Sequence, residues 1–171
     1  MIASINSWRF GNSLSSGGKK TASHVREAVY FFSQTLWYAS RMQGAKGNIL
    51  LLDDDSFLTK IYNVKFSDAG CTVQSASGVD EALRILRGGF VPDVIIFDLE
   101  MKEKDGFQFL EILKDQKLAQ GAYLLALTNH SEETSIKRAV DLGTSSYVVK
   151  ATMIPEEVVA LVMTEVAKRK A

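Results

Sequence analysis

One cysteine, two prolines and two histidines among 171 residues set the first limits on this chain. A lone thiol, Cys71, excludes an intramolecular disulfide and a multi-cysteine metal site, and it fits a reducing compartment. Net charge is missing as well. Twenty basic and twenty acidic residues cancel, so bulk charge points neither to a nucleic-acid binder nor to an enzyme for acidic substrates. Long apolar runs are also absent near the N-terminus: Ala28–Phe32 is far too short to cross ~30 Å of hydrocarbon. No clean secretory h-region with a small-residue cleavage site is present either. With 46% apolar and 23% charged residues, a disordered chain, a collagen-like repeat and a polytopic membrane protein are all excluded. The length fits one domain plus an appendage.

The balanced charge conceals a split. Residues 1–48 carry six Lys/Arg against one acid, a net +5, and residues 49–171 carry fourteen against nineteen, a net −5. Composition changes at the same place. Residues 1–47 read as an N-terminal extension of low order, Ser/Gly/Asn-rich over Ser4–Lys20, with a possible helix over 25–42. That segment reads as a weak amphipathic helix or non-native leader, an interfacial or partner-binding helix, or a targeting peptide. Met42 stands just before the ordered region, which leaves a translation start there as an option.

From Asn48 onward, short apolar runs alternate with amphipathic stretches. Ile49–Leu52 reads as a buried strand ending in Asp53-Asp54-Asp55, and Ser56–Ala69 as a helix stopped by Gly70. Cys71–Ala76 is a short strand, and Val79–Leu86 a helix closed by Gly88-Gly89. Pro92 introduces the strand Val94–Phe97, which ends in Asp98, and Asp105 caps a helix carrying Phe107, Phe109, Leu110 and Leu113. Ala122–Leu127 is a strand ending in Thr128. Ser131 is expected to cap the next helix, with Glu132 and Glu133 in its first turn. That helix ends at Gly143. Tyr147–Val149 is the last strand, followed by Lys150, and Pro155 opens a helix to about Lys168. Five strands alternating with five helices imply an α/β domain over 48–171, its doubly wound parallel sheet covered on both faces.

Four strands thus end in functional groups: Asp53/Asp54, Asp98, Thr128 and Lys150. In an open α/β sheet the carboxyl edge is the ligand edge, so these residues should converge in one crevice. Three carboxylates gathered there need a compensating cation, and all-oxygen ligation points to Mg²⁺ or Mn²⁺. Lys150 supplies a point charge and Thr128 a hydroxyl for phosphoryl oxygens. Each residue alone has a bland reading as cap, turn or surface charge. Their joint order does not.

The stretches ILLLDDDS (49–56), DVIIFDLEMKEKDG (93–106), LLALT (124–128) and YVVK (147–150) resemble the receiver domain of two-component response regulators. The resemblance implies a flavodoxin-like (βα)5 fold with strand order 2-1-3-4-5. It implies Asp98 as acceptor of a phosphoryl group from a sensor histidine kinase or phosphotransfer protein. Asp53, Asp54, Asp98 and the backbone carbonyl of Glu100 would hold Mg²⁺, directly or through water. Thr128 and Lys150 would contact the phosphoryl group, and Thr128 and Tyr147 would form the switch. Gly106 matches the glycine of the loop after the acceptor. Two departures stand out: Lys102 and Ala151 occupy positions where the family usually has proline, so the 150–151 peptide is open to either isomer. Glu100 and His130 flank the path of an attacking water and are candidates for tuning phosphate lifetime, or are plain solvent-facing loop residues.

The resulting expectation is a stand-alone cytoplasmic receiver, a signalling domain whose chemistry stops at self-phosphorylation and autodephosphorylation. Only Lys168–Ala171 follow the last helix, so output should pass to an unknown downstream protein through the 131–168 face, without direct nucleic-acid contact or a transmembrane segment. The alternative is a degenerate receiver acting as a constitutive interaction module. A metal-dependent phosphohydrolase is disfavoured: it would need an Asp where Glu100 stands.

Overall fold

The computed structural model describes residues 47–129 and 132–170. Ordered along the chain are β1 (Asn48–Leu52), α1 (Ser56–Asp68), β2 (Thr72–Ala76), α2 (Val79–Arg87), β3 (Val94–Phe97) and α3 (Gly106–Asp115). There follow β4 (Tyr123–Thr128), α4 (Glu133–Asp141), β5 (Ser146–Val149), a 3₁₀ turn (Lys150–Thr152) and α5 (Pro155–Lys170). All strand pairs are parallel and the sheet order is β2-β1-β3-β4-β5. The flavodoxin-like order read from the resemblance is therefore the one found.

Apolar residues in β1 and β3 are buried in succession because both faces of the sheet are covered. Alternation then divides them. Leu50, Leu52, Ile95, Phe97 and Ala126 face α2, α3 and Ala139 of α4. Ile49, Leu51, Val94, Ile96, Leu125, Leu127 and Val148 face α1 and α5, where Tyr62, Phe66, Val158, Val162, Met163 and Val166 close the second layer. Three helices on one face and two on the other hold the sheet rigid and leave its carboxyl edge open to solvent.

Helix ends follow local chemistry. Asp55 caps α1 by accepting from the Phe57 and Leu58 N–H groups, and Asp105 caps α3 by accepting from Gln108 N–H. Gly70 ends α1 in the left-handed region at φ 85°, so that Cys71 N–H reaches Phe66 O and Gly70 N–H reaches Ser67 O. The start of α4 differs from expectation. Glu132, not Ser131, holds the N-cap position, makes no side-chain cap hydrogen bond, and leaves Glu133 as the acid of the first turn. Ser131 and His130 lie outside the described residues, as do residues 1–46 with the possible helix over 25–42. The described residues contain no cis peptide, so the 150–151 bond is trans and Lys150 itself opens the 3₁₀ turn.

Candidate functional site

The turn after β1 and the turn after β3 are built alike. Asp53 accepts at Oδ1 from the Asp55 N–H (2.8 Å), and Asp98 accepts at Oδ1 from the Glu100 N–H (3.0 Å). Both are turns in which an aspartate bonds the backbone two residues on. Each carboxylate therefore has one oxygen tied down and the other presented. Both presented oxygens meet the same group: Lys150 Nζ lies 2.7 Å from Asp53 Oδ2 and 2.7 Å from Asp98 Oδ2. Parallel pairing positions the two turns side by side, since Leu52 is in register with Phe97 and Asp98 N–H donates to Leu52 O at 2.9 Å.

The pair of acids is buried enough for this to matter energetically. Asp98 is 4% exposed, and Thr128 at the end of β4 is fully buried. Burial pushes the Asp53 carboxyl above the usual carboxylate range, against the opposing pull of the Lys150 and Asp55 hydrogen bonds. For Lys150 burial alone would lower the pKa, but its two carboxylate hydrogen bonds win and hold it above the usual lysine value. The lysine stays charged. Tyr147 on β5 is raised by burial and then by the negative charges of Asp98, Glu100 and Glu132, which puts its ring within electrostatic reach of the same centre.

Asp54 departs from its neighbour. It points outward to an ion pair with Lys102, whose Nζ is 3.8 Å from Asp54 Oδ2. The acid triplet thus divides into three jobs: Asp53 faces Lys150, Asp54 faces Lys102, and Asp55 caps α1. Sequence reasoning assigned the first two to one site and gave Asp55 no task. It also missed the Glu100 N–H as the donor that orients Asp98, a role signalled only by the Asp-x-x spacing at a strand end. Gly106 lets α3 start against the turn after β3: its N–H donates to Leu99 O at 3.1 Å, and a β-carbon there would meet Leu99 Cα at 2.9 Å.

Two open crevices, of about 360 and 440 Å³, reach Asp54, and both are also lined by Met101 and Lys102, but neither is lined by Asp53, Asp98 or Lys150. The donors available for a cation are hard oxygens, the carboxylates of Asp53, Asp54 and Asp98, which suit Mg²⁺ or Mn²⁺. Among the described residues no three acid, His or Cys side chains are gathered as a ready-made cage. Mg²⁺ does not need one, because it keeps several waters and takes one or two carboxylates. The donor set fits the ion.

The family profile of the response regulator receiver domain matches residues 49–162. This chain belongs to that family. Among curated relatives, the transcriptional regulatory protein GlrR of Escherichia coli K12 is 34% identical over 110 residues, 64% of this chain and 24% of that protein. The sensor histidine kinase CheAY of Helicobacter pylori is 29% identical over 103 residues, 60% of this chain and 13% of that protein. The chain thus spans a quarter or less of those two relatives. The solved structure of chemotaxis protein CheY4 of Vibrio cholerae superposes with a TM-score of 0.61 at 26% identity, covering 70% of this chain and 95% of that one. Receiver domains serve two-component signalling, and in this one Asp53, Asp98, Thr128 and Lys150 stand at neighbouring strand ends of the sheet.

Proposed function

We propose that this receiver accepts a phosphoryl group on Asp98 from the phosphohistidine of a sensor kinase or phosphotransfer protein. The observation that carries the reading is the shared Lys150 contact, which holds the carboxylates of Asp53 and Asp98 at one edge. A carboxylate oxygen of Asp98 attacks phosphorus in line. The phosphorus–nitrogen bond to the imidazole breaks, the imidazole nitrogen keeps the electron pair and takes a proton, and an acyl phosphate remains. The Glu100 N–H fixes the carboxylate through Oδ1 during the approach. Lys150 passes from the Asp98 carboxylate to the incoming phosphoryl oxygens. Asp53, Asp54, Asp98 and the Glu100 carbonyl would hold Mg²⁺, which when bound offsets charge on the transferring group.

Phosphorylation adds about −1.5 to −2 charges at Asp98. In this reading the Thr128 hydroxyl turns toward them and Tyr147 follows, biasing the surface made by α4, β5 and α5 for a downstream protein. Glu100 and His130 would then tune how long the acyl phosphate survives. In this reading residues 48–171 are the functional unit, acting in the cytoplasm, and residues 1–47 are dispensable for the chemistry. A chain shortened to Met42–Ala171 should therefore label at the same rate.

The test is labelling with acetyl phosphate and Mg²⁺. The protein should gain one hydroxylamine-sensitive phosphoryl group, and Asp98→Asn should lose it. Undiminished labelling of Asp98→Asn would sink the assignment, and no labelling of the native chain would favour a constitutive interaction module.

A further inference from the structure

Every carboxylate of the strand-end set already has an ammonium partner. Asp53 and Asp98 share Lys150, and Asp54 has Lys102. The two lysines differ in kind. Lys150 is held in place, with 14% of its side chain exposed and two contacts of 2.7 Å. Lys102 is 89% exposed, reaches Asp54 at 3.8 Å, and makes no other ion pair among the described residues. It lines both of the crevices that Asp54 lines. A divalent ion held by Asp54 in either crevice lies beside that ammonium.

We propose that Lys102 is a tethered competitor for the divalent cation at Asp54, raising the metal concentration at which this receiver becomes competent. The inference rests on the reading of Asp53, Asp54 and Asp98 as the metal-binding acids. An exposed pair of this length is weak, so Lys102 yields to the ion and does not block it. Its cost to metal binding has two parts: the pair must be given up, and a positive charge stays near a doubly charged ion. Both parts are Coulombic, so both fade as salt screens them. Lys104, two residues on, provides an internal comparison. It is the same residue type on the same loop, but its partner is Asp80 across one crevice.

The test is calorimetric titration of the full chain with Mg²⁺ alone, at low and high KCl. At low ionic strength Lys102→Met should tighten Mg²⁺ binding about three- to tenfold, and Lys102→Arg should leave it unchanged. Lys104→Met should move it by less than about twofold, since its charge is committed elsewhere. At ~1 M salt, where the screening length is ~3 Å, the gain from Lys102→Met should shrink below about twofold. In an Asp54→Asn background Lys102→Met should give little further gain. Equal or weaker Mg²⁺ binding by Lys102→Met, with the native chain still binding, overturns the role of Lys102 and leaves the metal site standing. Equal gains from the Lys102 and Lys104 variants overturn it too, by showing a general charge effect. Failure of Mg²⁺ to bind any variant or the native chain overturns the metal reading itself.

Discussion

Gly106 sets its bare α-carbon against the backbone of the turn after β3, where a β-carbon would lie 2.9 Å from Leu99 Cα and closer still to the carbonyl oxygen of Asp98. Backbone cannot give way as a flexible side chain can. Gly106→Ala should therefore cost about 1–3 kcal/mol in urea unfolding, as overpacking of a closed contact does. Because the shift falls on the residue proposed as acceptor, acetyl phosphate labelling should slow as well. A variant with native stability and native labelling would show that the loop has slack that the contact denies.

Glu81 gives the fold a pH-dependent stay. The N-cap of α2 is Gly78, which has no side chain to offer, and Glu81 instead reaches back to accept from the Ser77 N–H (2.9 Å) and Ser77 hydroxyl (3.0 Å). These bonds, chiefly the backbone one, hold its pKa below the usual glutamate value. A lowered folded-state pKa means the stabilisation is present above the unfolded value and is lost as pH falls through the folded one. Glu81→Ala should cost about 0.5–1 kcal/mol at pH 7, and the difference from the native chain should shrink as pH falls below the usual glutamate value of about 4.3. A deficit that stays constant from pH 7 to 3.5 would mean packing, not charge, is responsible.

Thr144 carries the opposite kind of error. It is 7% exposed, and its Oγ1 has no hydrogen-bond partner among the described residues. A buried hydroxyl left unsatisfied forfeits its hydration for nothing. Replacing it by valine keeps the β-branch and removes the polar atom, so Thr144→Val should raise stability by about 1 kcal/mol. Destabilisation by the same amount would place a bound water at the hydroxyl.

Four of the strands were legible in the sequence because each holds an apolar run followed by a polar residue, as strands of a doubly covered sheet do, whereas the edge strand β2 mixes polar and apolar residues. Asp53, Asp98, Thr128 and Lys150 follow from that pattern: once the strands are placed, parallel pairing brings their ends together. What was not legible depends on side-chain direction or on loops without a period. Nothing in Asp53-Asp54-Asp55 tells which acid turns inward, since that is decided by the turn whose own N–H groups the acids bind. Lys102 was visible only as a missing proline, because its contact with Asp54 joins two loops 48 residues apart in sequence. Helix α3 ends without glycine: Lys117 takes the left-handed position at φ 53°, with Leu118 N–H on Leu113 O, an ending that residue preference disfavours and tertiary packing imposes. Glu132 stands at the N-cap of α4 although cap preference favours a serine there.

The two acids and one lysine at the strand ends make a last prediction that needs no metal. With Lys150 in place, one buried and one half-buried carboxylate share one ammonium at 2.7 Å each. Without it they face each other, with Asp53 12% and Asp98 5% exposed at the side chain. Removing one partner of a buried ion pair is strongly destabilising, because the charge left behind keeps its desolvation cost and loses its compensation. Here the Oδ1 atoms retain their backbone N–H donors, which moderates the loss. Lys150→Met in metal-free buffer should therefore cost about 1–3 kcal/mol, below the range for fully enclosed pairs. The sign of a second substitution identifies the cause. If carboxylate repulsion is the source, Asp98→Asn added to Lys150→Met should recover part of the loss, so the double variant unfolds at higher urea than the single one. Loss of packing by the lysine stem would instead leave the two substitutions additive or worse. Urea titrations of the native chain, both single variants and the double variant, all in chelator, decide between a charge-balanced site and a merely packed one.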